Sequence, residues 1–143
     1  MAVQGVKNNG GPFGTVIVRD GKVIGRGHNM VTLNNDSTAH GEVVAIRDAC
    51  KNVNSFMLDG ATLYTSCEPC PMCLASAYWS HINRIVFACT RKDAADIGFD
   101  DDFIYNEIPL PISQRKIPTV AGLNTEGLVP FNMWREKNDK IEY

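Results

Sequence analysis

The feature that most constrains this chain is a pair of short segments rich in metal-binding side chains. They are residues 38–42, Thr-Ala-His-Gly-Glu, and residues 67–73, Cys-Glu-Pro-Cys-Pro-Met-Cys. Cys70 and Cys73 lie three residues apart at the expected start of a helix, where both thiolates can reach one metal ion, and His40 can supply a third ligand. Glu42 can face the water that occupies the open position of a catalytic zinc. The fold must therefore bring the two segments together.

Two structural metal sites are alternatives to a catalytic one. The three cysteines of residues 67–73 could begin an iron–sulfur sequence, but that sequence needs a further Cys followed by Pro, and position 77 is Ala. A structural zinc site needs a fourth protein ligand, for which Cys67 is the nearby candidate. Glu42 taken alone would usually be a charge on a helix face. Its place beside His40 favours the catalytic interpretation.

Composition narrows the class of protein. The chain has 143 residues, enough for one domain, and it is 44% hydrophobic and 21% charged. Its net charge is −2 and it has no basic run, so a nucleic-acid partner is disfavoured and a small neutral substrate is favoured. The sequence shows no membrane-length apolar stretch and no signal peptide. Five cysteines without an export signal indicate metal ligation in the cytoplasm rather than disulfides.

Strand-forming and helix-forming segments alternate over the first hundred residues. The pattern predicts a helix end over 1–9, strands 13–19 and 22–29 joined at Asp20-Gly21, helix 40–51, strand 61–66, helix 70–81, strand 84–90 and a short helix from 93. The side chains of 36–38 are expected to cap helix 40–51, and Val43, Val44 and Ile46 are expected to form its buried stripe. A closing helix is expected over 129–138. This alternation predicts an α/β fold with parallel pairing and helices on both faces of the sheet.

The arrangement H-x-E followed by P-C-x-x-C is the signature of zinc-dependent nucleobase deaminases. Residues 38–43 and 65–73 resemble the cytidine deaminase-like superfamily, and more narrowly its bacterial guanine deaminases. Further segments carry the narrower resemblance: 11–14, 27–29, 78–79, 98–101, 103–105 and 142–143. It implies a three-layer α/β/α fold with a central mixed sheet flanked by helices on both faces. It also implies a single domain over 1–143, in a homodimer whose segment 105–143 is exchanged between subunits.

The resemblance also implies a role for individual residues. His40, Cys70 and Cys73 would hold Zn²⁺, and Glu42 would be the catalytic proton carrier. Phe13 would stack on the ring, and Asn29 would hydrogen-bond the purine. Asp101 would bind the donor-rich edge of guanine, Trp79 would line the pocket and Tyr143 would close it. Gly41 is also among the implied substrate-binding residues. The substrate would be guanine, with no nucleic acid and no membrane as partner.

Two departures and several alternatives accompany this resemblance. Gly41 stands where relatives usually have Ala, and the first helix is shorter than in relatives. Guanosine, ammeline and cytosine are alternative substrates for the same chemistry. A tRNA adenosine deaminase is disfavoured because a basic patch is missing. A non-catalytic zinc module is disfavoured by the presence of Glu42.

Overall fold

A computed structural model describes residues 1–142, and the chain divides into two compact units, 1–102 and 103–143. The first unit contains α1 (Ala2–Lys7), β1 (Gly14–Arg19), β2 (Lys22–His28), α2 (Val31–Asn34), α3 (Gly41–Val53), β3 (Thr62–Cys67), α4 (Pro71–Trp79), β4 (Arg84–Cys89) and α5 (Arg91–Ala95). Next come α6 (Asp102–Glu107), a 3₁₀ turn (Ile112–Gln114) and α7 (Asn124–Glu136). Within residues 1–142, no helix is long and apolar enough to cross a membrane.

The four strands form one mixed sheet in the order β2-β1-β3-β4. β1 is antiparallel to both β2 and β3, whereas β3 and β4 are parallel and joined through α4. The β1–β2 hairpin turns at Asp20 and Gly21, whose φ angles of 51° and 71° are those of a type I′ turn. The mixed sheet with flanking helices confirms the predicted fold class, and the parallel pairing predicted from the alternation holds for β3 and β4.

Helices cover both faces of the β1–β2 hairpin, and glycines allow their close approach. Neighbouring residues of a strand point to opposite faces of the sheet, so Gly27 and His28 contact different helices. A Cβ placed on Gly27 would lie 2.3 Å from the Gly41 carbonyl oxygen of α3, whereas the His28 side chain lies beside Gly5 of α1. Gly25, on the same face as Gly27, likewise meets Ala45 and Ala49 of α3. The sheet therefore has α1 on one face and α3 on the other.

Replacing Gly27 with Ala should destabilise the protein by about 2–3 kcal/mol, because the new methyl group would overlap the backbone of α3. The measurement is the free energy of unfolding in urea. Gly127 of α7 is a matched control, since a Cβ there meets nothing within 4 Å. Gly127→Ala should be neutral or slightly stabilising because Ala favours helix. Equal stability of Gly27→Ala and the wild type would contradict the close packing of α3 on β2.

The core lies between α3 and the sheet. Its buried members are Ile17, Ala45, Ile46, Ala49, Leu58, Ala61 and Leu63. The expected stripe of Val43, Val44 and Ile46 is only partly right, because Ala45 and Ala49 are buried and the two valines are partly exposed. Small residues face the sheet because α3 packs directly against the glycines of β2. This close contact fixes the position of the N-terminus of α3.

One predicted capping interaction and one predicted helix boundary are wrong. Residues 36–38 do not cap α3, whose N-cap residue is His40 and has no side-chain capping bond. Instead, the Asp36 carboxylate accepts hydrogen bonds from the Thr38 N–H and hydroxyl at 2.8 and 2.7 Å, which forms a local turn before the helix. The closing helix begins at Asn124 rather than 129, and Pro130 lies inside it.

Candidate metal centre and active site

Three potential metal ligands converge where α3 and α4 begin. His40 is the N-cap residue of α3, Cys70 is the N-cap residue of α4, and Cys73 lies in the first turn of α4. The Nδ1 atom of His40 lies 3.6 Å from the Sγ of Cys70 and 3.5 Å from the Sγ of Cys73. All three ligand atoms lie within 4.8 Å of one another. The two segments of the sequence motif therefore meet at one point.

The chemistry of this cluster fits a zinc ion. A hydrogen bond from Cys73, assisted by His40, lowers the pKa of Cys70 to about 4. The hydrogen bond to Cys70, burial and the Glu42 carboxylate together raise the pKa of Cys73. In the absence of a metal, Cys70 is therefore favoured as a thiolate and Cys73 as a thiol. A divalent cation that bound both sulfurs would displace the proton of Cys73. One imidazole and two sulfurs form a donor set that suits zinc, and helix N-termini favour the thiolate form.

Cys67 does not belong to the ligand cluster. It ends β3, is buried, and its Sγ lies 3.5 Å from the carbonyl oxygen of Thr90. Burial raises the pKa of Cys67 to about 11, so the thiol form is favoured. Among the described residues, the cluster contains three potential ligands, whereas a closed structural zinc site has four.

Glu42 lies in the first turn of α3 with only 5% of its surface exposed. Its Oε2 atom accepts a hydrogen bond from the Sγ of Cys73 at 3.2 Å. Its Oε1 atom accepts a hydrogen bond from the hydroxyl of Thr65 at 2.8 Å. The carboxylate therefore touches the ligand cluster through one oxygen and β3 through the other.

A cavity of about 570 Å³ opens over the cluster. His40, Glu42, Cys70 and Cys73 all line it. Other parts of its wall come from Phe13, Asn29, Phe99, Asp100 and Asp101. The volume lies in the range of small-molecule sites. Three predicted substrate-binding residues, Phe13, Asn29 and Asp101, thus share one cavity with the predicted metal ligands.

The cavity wall contains both a hydrogen-bond donor and a hydrogen-bond acceptor. Asn29 is buried directly after β2, where its Oδ1 accepts a hydrogen bond from the N–H of Val31 at 3.2 Å. The side-chain NH₂ of Asn29 is consequently the group it can offer to a ligand. Burial, followed by the charge of the Cys70 thiolate, raises the pKa of Asp101. The wall therefore combines an amide donor with a carboxylate acceptor.

An aromatic pair forms the apolar part of the wall. The rings of Phe13 and Phe99 are 4.9 Å apart and perpendicular, in an edge-to-face contact. Phe13 precedes β1, and its carbonyl oxygen accepts a hydrogen bond from the N–H of Asn29 at 2.9 Å. This bond links the predicted stacking residue to the predicted hydrogen-bonding residue.

Two predicted substrate-binding residues, Gly41 and Trp79, lie outside the cavity wall. Gly41 is buried at the start of α3, where a Cβ would lie 3.2 Å from the carbonyl oxygen of Phe13, and it does not line the cavity. Trp79 ends α4 with 65% of its surface exposed and does not line the cavity. Tyr143 lies outside the described residues. The roles of Gly41, Trp79 and Tyr143 stay predictions.

Sequence reasoning missed several residues of the site. The missed residues include Thr65, which contacts Glu42, and Phe99, which contacts Phe13. Thr15 was also missed, and it contacts Thr65. Glu68 and Arg91 also line the cavity, and the Glu68 carboxylate accepts a hydrogen bond from the N–H of Arg91 at 3.1 Å. The alternation of buried residues in β3 was the available signal, because it places Thr65 on the same face as Leu63 and Cys67.

Comparison with known proteins identifies the family. Residues 1–89 match the cytidine and deoxycytidylate deaminase zinc-binding region. A guanine deaminase of Bacillus subtilis is 51% identical over 100% of this chain and 92% of its own length. The X-ray structure of guanine deaminase from Bacillus subtilis superposes with a TM-score of 0.96 at 52% identity, over 99% of this chain and 91% of that one.

A second group of relatives matches only in part. A tRNA-specific adenosine deaminase of Buchnera aphidicola is 43% identical over 57% of this chain and 54% of its own length. The family match spans both metal-binding segments of the chain. The chain belongs to the family of cytidine and deoxycytidylate deaminase zinc-binding proteins.

Proposed function

We propose that this protein catalyses the zinc-dependent hydrolysis of guanine to xanthine and ammonia. The observation that carries the reaction type is the contact of a buried carboxylate, Glu42, with a His/Cys/Cys cluster in the wall of a cavity. The choice of guanine is supported by the similarity to a guanine deaminase over the whole chain.

The proposed metal ligands are His40, Cys70 and Cys73. When bound there, zinc would supply a nucleophile at neutral pH by lowering the pKa of water. The Oε2 atom of Glu42 lies beside this cluster and can accept a proton from the attacking water. The same carboxylate can then deliver protons to the ring nitrogen next to C2 and to the departing amino group. Addition of water at C2 and loss of ammonia yield xanthine.

The cavity wall supports recognition of the two polar edges of guanine. The NH₂ group of Asn29 can donate to the acceptors of the ring, and the Asp101 carboxylate can accept from the N1–H and amino group. Phe13, held edge-to-face by Phe99, provides an apolar surface for stacking. Groups matched in this way reject analogues that leave them unpaired.

Replacing Asp101 with Asn should lower kcat/KM for guanine by about 10- to 100-fold, because a hydrogen bond to a charged group is lost. The loss should be smaller for 2-aminopurine, which keeps the amino group at C2 but has no N1–H. The measurement is steady-state ammonia release from both substrates. Asp20→Asn in the exposed hairpin turn is a matched control, since Asn tolerates its φ of 51°. Equal losses on both substrates would remove Asp101 from recognition.

Other aminated rings and other protein classes are alternatives to this proposal. Guanosine, ammeline and cytosine could undergo the same reaction. The matches to tRNA-specific adenosine deaminases are partial, covering 57% of this chain for that of Buchnera aphidicola and 66% for that of Haemophilus influenzae. The net charge of −2 does not favour a polyanionic substrate. A non-catalytic zinc module would have no use for a buried carboxylate beside its ligands.

The test is ammonia release from guanine, guanosine, adenine, cytosine and ammeline, with zinc content measured on the same sample. We expect the highest kcat/KM for guanine and about one zinc per chain. Faster turnover of guanosine than of guanine would show that guanosine is the preferred substrate. Absence of turnover on all five compounds in zinc-loaded protein would favour the non-catalytic module.

We further propose that 1–143 is one functional domain of a cytoplasmic homodimer, with segment 105–143 exchanged between subunits. Apolar side chains exposed in that segment, among them Ile117, Val120 and Phe131, support an additional partner surface. The five free cysteines support a reducing compartment. Sedimentation equilibrium tests the dimer, and a monomer at micromolar concentration would contradict it.

A further inference from the structure

We propose that Thr65 is a positioning residue for the reaction: its hydroxyl holds the Glu42 carboxylate in the orientation that proton transfer requires. This inference rests on the role of Glu42 in the proposed function. Neither the metal-binding motif nor the predicted substrate-binding residues include Thr65.

The contact is direct and buried. Thr65 donates its hydroxyl hydrogen to Oε1 of Glu42 over 2.8 Å. Thr65 is 6% exposed and Glu42 is 5% exposed, so bulk water does not compete for this bond. A hydrogen bond to a charged acceptor in such surroundings is stronger than a neutral one. The bond restricts rotation of the carboxylate about its last side-chain torsion.

A second hydroxyl orients the first. Thr15 of β1 is completely buried and donates a hydrogen bond to the Oγ1 of Thr65 at 3.2 Å. The two threonines are paired across β1 and β3 in the sheet register. Because the Thr65 oxygen accepts from Thr15, its own hydrogen is directed to Glu42. The chain of bonds therefore runs in one direction, from β1 through β3 to the carboxylate.

Gly41 leaves room for this arrangement. A Cβ on Gly41 would lie 3.3 Å from the Oγ1 of Thr15 and 3.2 Å from the Phe13 carbonyl oxygen. Both contacts are tighter than ordinary van der Waals separation. The glycine thus lets the first turn of α3 approach the hydroxyl pair, which brings Glu42 within reach of Thr65.

The two oxygens of Glu42 have different neighbours, and this difference explains why Thr65 matters. The partner of Oε2 is the thiol of Cys73, at 3.2 Å. Cys73 is a proposed zinc ligand, and a ligating cysteine is a thiolate that has no proton to donate. Thr65 can keep its bond to Oε1 with or without the metal. Oε2 then stays directed at the cluster and available for the proton.

The test compares Thr65→Val, which removes the hydroxyl at nearly constant volume, with Thr65→Ser, which keeps it. Thr65→Val should lower kcat for guanine by about 10- to 100-fold, by analogy with the loss of a side chain that orients a metal ligand. KM, zinc content and melting temperature should change little. Thr65→Ser should recover most of the wild-type kcat. Should Thr65→Val not fold, Thr65→Ala and Thr65→Ser provide the same comparison.

A double-mutant cycle separates this inference from the proposed function. In the Glu42→Gln background, Thr65→Val should have little further effect, because the two residues act through one interaction. Wild-type turnover in Glu42→Gln alone would overturn the proposed role of Glu42. Impaired Glu42→Gln together with a fully active Thr65→Val would overturn only the role of Thr65. Equal losses in Thr65→Val and Thr65→Ser, or a loss of zinc, would assign Thr65 to packing and would also overturn it.

Discussion

Replacing Glu42 with Gln should lower kcat for guanine deamination by about 10²- to 10⁴-fold, the usual contribution of a general acid–base group. Gln has nearly the same shape as Glu, so the side chain can still accept the hydrogen bond from Thr65 through its amide oxygen. Its NH₂ group cannot take a proton from water. The measurements are ammonia release and zinc content, and zinc should stay at about one per chain, because Glu42 is not a proposed ligand.

Glu136→Gln provides the matched control for this variant. Glu136 ends α7, is exposed and is not one of the residues that line the cavity, so its replacement removes the same charge from a residue outside the proposed site. It should leave kcat unchanged. Wild-type turnover in Glu42→Gln would show that another group carries the proton. Loss of zinc from Glu42→Gln would show instead that the carboxylate supports the metal site.

Replacing Cys70 with Ser should abolish both metal binding and turnover. Cys70 has a pKa of about 4, so it is the ligand most ready to bind a cation as the thiolate. A serine hydroxyl stays protonated at neutral pH and is a poor zinc ligand. We expect zinc content to fall from about one to well below one per chain, with ammonia release below detection. Zinc can be measured by elemental analysis of the purified folded protein.

Two other cysteines serve as controls for Cys70→Ser. Cys89 is exposed and Cys67 is buried, and neither belongs to the ligand cluster. Cys89→Ser and Cys67→Ser should each retain zinc. If Cys67→Ser loses zinc while folded, Cys67 is a fourth ligand and the site is closed. A zinc-loaded, active Cys70→Ser would contradict the proposed ligand set itself.

The zinc-deaminase motif predicts that His40, Cys70 and Cys73 lie together, and the sequence pattern predicts where the four strands lie. Cysteines three apart at a helix start can reach one ion, and this local geometry holds wherever the helix lies in the fold. The alternation of strands and helices is equally local, so the strands of residues 1–102 lie close to their predicted positions. The local rule brings together only Cys70 and Cys73. His40 is 30 residues away from Cys70 in the sequence and joins the two cysteines because α3 and α4 begin at the same point.

The remaining contacts depend on pairing between distant segments. The partnership of Thr15 with Thr65 requires the register of β1 against β3, which lie 50 residues apart at that pair. The predicted capping of α3 by residues 36–38 failed for a local reason. Asp36 could have capped a helix, but its carboxylate binds Thr38 instead, and both uses satisfy backbone groups with the same side chain. Sequence pattern alone does not decide between them.

The register of β1 against β3 restricts how the family can change in length. An insertion or deletion of one residue within β3 would rotate every following side chain to the other face of the sheet, so Tyr64 or Ser66 would replace Thr65 opposite Glu42. The loop between α3 and β3 has no such periodicity. We therefore expect length variation among relatives to gather in loops, while the strand between residues 62 and 67 keeps its number of residues.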